Sequence, residues 1–240
     1  MARTHHRLTP TTLVRSGGGK SRPLERVSLT IVISWRSRTV AIIAVPAVGI
    51  LIGSLGPLLM TVDNPIGHAT HLAMSGGWSW AALAFAFGIA GRSKVESAIL
   101  APAALVVAVI AYYATKVGRG EFTTLDLNSP SAATPYVSWG DFLGKTIFWC
   151  VVACILGPII GLAGHLAKDR RLRSLPFRLL VPLITIVEMS ERIRTEASLQ
   201  GAVANVTWSA ILVTAIAATI ALVWHAMVTS RAKSFGQVQE

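Results

Sequence analysis

Apolar runs long enough to cross a lipid bilayer recur along this chain, separated by short polar or basic stretches. A spanning helix needs about 20 mostly apolar residues. Residues 39–60, 72–90, 95–115, 141–166 and 203–228 each supply such a run. Lipid leaves no water to satisfy exposed backbone groups, so runs of this kind fold as helices. The pattern therefore predicts an all-α protein, a polytopic membrane helix bundle. Only 14% of the residues are charged, against about 25% in a soluble domain.

A sixth run, residues 178–200, starts like the others and changes halfway. Nothing from Leu179 to Val187 is charged, and then Glu188, Glu191, Arg192, Arg194 and Glu196 follow closely. Either this helix leaves the lipid early, or its second half faces protein and water within the membrane. Counted as a span, it gives six transmembrane helices.

The formal charge of +11 would suggest nucleic acid in a soluble chain. Here the basic residues lie in the N-terminal arm, in Arg92 and Lys94, in the stretch from Lys168 to Arg173, and after the last run. All of these fall on one side of a six-span arrangement. The facing loops hold Asp63, Glu121, Asp126 and Asp141. The positive-inside rule then puts both termini in the cytoplasm of a multi-pass cell-membrane protein. It leaves no role for nucleic acid.

Residues 1–38 read as a disordered basic cytoplasmic arm ending in a short interfacial segment, residues 27–35, anchored by Trp35, Arg36 and Arg38. Residues 39–228 form the membrane domain, and residues 229–240 a cytoplasmic tail. The stretch 61–71 reads as a loop with Asn64-Pro65 as its turn signal, and 116–140 as a long polar loop. Cys150 and Cys154 sit four apart in an apolar run and read as small fillers.

Two matching words occur in the first and fourth spans, Leu55-Gly56-Pro57-Leu58-Leu59 and Leu156-Gly157-Pro158-Ile159-Ile160. Interrupted spans in matching positions of inverted halves point to a transporter's central site. Chance matches between membrane helices rich in Gly and Pro produce the same words.

The segment Ser75-Gly76-Gly77-Trp78-Ser79-Trp80-Ala81-Ala82-Leu83-Ala84-Phe85, with Ala111-Tyr112-Tyr113 and Gly157-Pro158-x-x-Gly161-x-x-Gly164, resembles an uncharacterised family of small actinobacterial integral membrane proteins. The likeness covers roughly residues 53–192. It implies a membrane architecture and no activity.

Glu188 is the leading candidate for a site. Ten residues at about 1.5 Å each put it some 15 Å deep, counted from Arg178. A carboxylate at that depth faces a cavity or a partner by default, which makes it a candidate proton carrier or acid. Glu191 shares its face, and Arg192 can pair with it at i+4. If the helix exits early, the same residues form a wet surface laced with ordinary ion pairs. Among the tryptophans, Trp149 stands apart, halfway through its span rather than at an interface. It reads as the wall of a pocket or as plain packing. His68-x-x-His71 with Asp63 offers three ligands in a loop and no visible fourth, so no metal site and no cofactor is expected.

Three functions remain open. The first is binding of a small, hydrophobic ligand and its movement across the membrane, with Glu188, Glu191 and Trp149 at the site. Without a Walker A sequence, that movement would need a partner subunit, a homo-oligomer or a proton gradient. The second is a membrane-embedded enzyme acting on a lipid or isoprenoid, with Glu188 as the initiating acid and Trp149, Tyr112 and Trp208 stabilising a carbocation. The third is a non-catalytic structural or immunity-type membrane protein without a site, which holds if the 178–200 helix is half-embedded; membrane lipids are partners in every case.

Overall fold

The computed structural model describes residues 43–60, 64–125, 135–169 and 172–236. The arm 1–38 with its interfacial segment, and the loop residues Asp63 and Asp126, lie outside the described residues. The described chain is almost entirely helical. Its helices are α1 (Ile43–Leu59), α2 (Pro65–Met74), α3 (Gly77–Ala90), α4 (Lys94–Gly118), α5 (Trp139–Leu166), α6 (Leu175–Thr195) and α7 (Ala197–Gly236).

Among the described residues, three stretches are long and apolar enough to cross a membrane: α4, α5 and Leu199–Thr229 of α7. The α2–α3 pair passes only when taken together, as a fourth span bent by 61°. The helix α1 is apolar but shorter. The helix α6 is not among the spans, because charged residues fill its second half. Among the described residues, three or four apolar segments are therefore long enough to span a bilayer, which fits a membrane protein.

Three expectations need correction. The run 72–90 is not one straight helix, since α2 ends at Met74 and α3 starts at Gly77 in a new direction. Residues 65–71 of the expected loop are helical, because Asn64 caps α2, its side chain accepting the Gly67 amide at 2.7 Å. In the long polar loop, β1 (Thr123–Leu125) pairs antiparallel with β2 (Pro135–Val137), Thr123 facing Val137. These short strands leave the all-α class intact.

Small residues set the spacing of the inner layer. Helices α3, α4 and α5 meet over Ala84, Ala101 and Ala108, all fully buried. A Cβ on Gly157 would stand 2.7 Å from the Pro102 Cα of α4, so that contact admits only glycine. Close approach of backbones is what holds membrane helices together where lipid is as apolar as leucine. Gly157-Pro158 therefore packs rather than interrupts, and α5 runs unbroken through it. The matching Gly56-Pro57 lies near the end of α1, where the Gly56 carbonyl is 2.8 Å from His71 Nδ1. The two words thus play different parts.

The second layer is the α6–α7 pair, with Met189, Ala204 and Trp208 fully buried and Leu72 of α2 packed against them. The α7 backbone turns at Gly201, at φ 81° and ψ −174°. Between the two layers lies a cavity.

Candidate functional site

A helix begins with four amides that have no partner inside it. Gly76 occupies the cap position of α3 and has no side chain to offer. In a low-dielectric interior those donors must be satisfied from elsewhere. Glu188 of α6 supplies the acceptor: its Oε1 takes the Gly77 amide and its Oε2 the Trp78 amide, each at 2.7 Å. The positive end of the helix dipole favours a carboxylate there. Arg192, one turn on, donates from Nε to Oε1 at 3.1 Å and from Nη1 to Glu196 at 3.4 Å. Glu188 and Arg192 keep side-chain exposures of only 21% and 25%.

This polar knot forms one wall of a cavity of about 570 Å³ between α3, α4, α5 and α6. That size falls within the roughly 300–1,000 Å³ typical of small-molecule sites. Trp80, Tyr112, Tyr113 and Trp149 bring four aromatic rings to it, and Leu105, Val109, Leu156 and Ile184 fill in the apolar surface. The rings are held by one another: Trp80 meets Tyr112 edge-on with centroids 5.9 Å apart, and Tyr112 meets Tyr113 at 5.2 Å. Trp149 and Leu156 are each 47% exposed, so the α5 wall also opens outward.

The spacing explains how two helices make facing walls. Leu105, Val109, Tyr112 and Lys116 recur at three and four residues along one face of α4, and Lys145, Trp149, Val152 and Leu156 do so on α5. Residues so spaced share a helix face.

The structure gathers Glu188, Trp149 and Tyr112 at this cavity, but not the other residues expected with them. Glu191 is 63% exposed and stands 3.7 Å from Arg194. Trp208 is fully buried in the α6–α7 layer, where the Arg192 guanidinium lies 5.8 Å from its ring centre. It serves as a packing anchor beneath the arginine. Trp80, Tyr113 and Arg192 join the site instead. The face pattern on α4 could have found Tyr113, but the turn that aims Trp80 inward depends on the break before α3. Among the described residues, no group of three His, Cys, Asp or Glu side chains is placed to hold a metal ion. His68 and His71 sit on α2, and Asp63 lies outside the described residues.

A family of unknown function, DUF6518, has a model that matches residues 33–238. The chain belongs to this family. The DUF6518 match reaches beyond the stretch suggested by the sequence likeness, taking in the charged end of α6 and all of α7. Both walls of the cavity are thus parts of the DUF6518 region. No curated protein and no solved structure matches the chain.

Proposed function

We propose that this chain is a multi-pass cell-membrane protein that binds a small hydrophobic molecule in the α3–α6 cavity, as a permease-type component. The reading takes α1, the bent α2–α3 pair, α4, α5, α6 and α7 as six membrane segments with both termini cytoplasmic, an orientation the basic loops support. One observation carries it. A cavity of about 570 Å³ lined by four aromatic rings meets the start of a broken helix, with Glu188 and Arg192 at that edge. Aromatic and apolar walls with a few fixed polar groups suit a small ligand. Broken helices whose half-helix starts border the site are a recurring construction in transporters.

Glu188 is better cast as the clamp on the broken helix than as a proton carrier. Both its oxygens are already engaged as acceptors. The same commitment counts against Glu188 as the initiating acid of an enzyme. Movement of the ligand would come from a second copy, a partner subunit or an ion gradient acting elsewhere.

Nile red provides a probe. With the purified chain in nanodiscs, directly excited dye emission should rise saturably above that of empty nanodiscs, and Trp149→Ala should weaken the binding several-fold. No saturable rise above empty discs would sink the reading. Dye efflux from vesicles containing the chain then separates passage from binding alone.

A further inference from the structure

The aromatic cavity does not end at its rings. A second hollow of about 330 Å³ adjoins it, and Tyr112, Tyr113 and Trp149 line both. Its remaining walls are Lys116, Glu121, Phe122 and Lys145. The two hollows share these three rings as a common wall, the larger one mostly apolar and the smaller one charged.

The two lysines of the smaller hollow are placed differently. Lys116 Nζ sits 2.8 Å from Glu121 Oε2 and 5.3 Å from the Tyr112 ring centre. Glu121 is thereby used. Lys145 Nζ lies 5.3 Å from the Phe122 ring centre and has no carboxylate partner among the described residues. Asp141, one turn earlier on α5, accepts the Ser138 hydroxyl at 2.6 Å. Among the described residues, Lys145 is thus the cation of this hollow that is in no ion pair, while Asp141 keeps its charge one turn away. At the far edge, the clamp residues satisfy one another.

We propose that the ligand is a single-chain acidic amphiphile, its hydrocarbon or aromatic body among Trp80, Tyr112 and Trp149 and its one carboxylate on Lys145. A carboxylate would convert the ring contact of Lys145 into a charge-assisted hydrogen bond, roughly twice as strong as a neutral one. A chamber of about 570 Å³ suits one chain rather than a two-chain phospholipid. This inference rests on the binding role proposed above, and its test is arranged so that the two can fail separately.

The full chain in nanodiscs of neutral lipid is titrated with a dansyl-labelled medium-chain fatty acid and with the matching primary alcohol. The acid should bind about tenfold tighter. Lys145→Gln should bring the acid to the level of the alcohol and leave the alcohol unchanged, which also shows that the variant is folded. Lys145→Arg should keep most of the preference. Equal binding of acid and alcohol in the unaltered chain, or a preference that survives Lys145→Gln, overturns the acidic ligand and leaves the hydrophobic site in place. If neither probe binds, both readings fall. Displacement of the acid by low amounts of an anionic two-chain phospholipid overturns the single-chain assignment.

Discussion

The Glu188 side chain lies 2.7 Å from the Gly77 amide, joining α6 to the first turn of α3 across 111 residues of sequence. With the Trp78 amide on its other oxygen, this one carboxylate does for α3 what a local cap normally does. A membrane helix broken in its middle leaves amides that lipid cannot satisfy. The clamp supplies those acceptors at the bend, and α3 beyond it carries Trp80 to the cavity.

Glu188→Ala should lower the stability of the chain in detergent by about 2 kcal/mol. That is the scale of a lost cap whose bonds are to a charged acceptor. Glu188→Gln should cost less, since one oxygen remains to accept while the amide group faces a donor. Thermal melts of the variants against the unaltered chain read the order. Equal melting of all three would show that the clamp carries no stability.

Arg192 gives the second prediction, because it touches both Glu188 and the buried Trp208 ring. Groups in one network couple by about 0.5–3 kcal/mol in a double-mutant cycle. Arg192→Ala and Glu188→Ala should therefore be less than additive in the same melts. Glu191→Ala, on the exposed side of α6, should add independently to either.

The apolar runs made the helical class legible, because lipid admits little else. The bend in the second run was not. Ser75-Gly76-Gly77 looks like any small-residue stretch in a membrane helix, and its acceptor sits on a helix far along the chain. Glu188 could be picked out as anomalous from its depth, yet spacing gives no sign that it faces amides rather than a ligand. Trp149 and Tyr112 were legible as mid-helix and helix-face aromatics. Trp208 was not legible as core, since it is the packing of α6 and of Leu72 against α7 that buries it. The strand pair lay hidden in a polar loop whose segments are three residues each.

Two glycines separate close packing from backbone strain. Gly157→Val should force α5 away from Pro102, where a Cβ would stand 2.7 Å from the Cα; overpacking of this kind costs about 1–3 kcal/mol. Gly201→Ala meets no atom within 4 Å, but its φ of 81° and ψ of −174° lie in a region essentially closed to other residues. It should cost a similar amount, about 1–3 kcal/mol, through strain alone. Gly140→Ala, on α5 with open space around it and no positive φ, is the matched control and should melt with the unaltered chain.

The two interior tryptophans should part company when each is truncated. Trp208 is fully buried between α6 and α7, and Trp→Ala in a packed core costs about 3–5 kcal/mol. Trp208→Ala should accordingly lower the melting temperature sharply, and any loss of Nile red binding should follow the loss of folded protein. Trp149 is 47% exposed and stacks edge-on with Phe148 at 5.4 Å. Its removal should spare most of the stability while weakening dye binding several-fold, because the ring is a wall of the cavity rather than a support of the fold. Measuring melting and binding on the same preparations makes the contrast direct. A Trp149→Ala chain that binds normally, beside a Trp208→Ala chain that stays folded and loses binding, would move the site out of the aromatic cavity and into the α6–α7 layer.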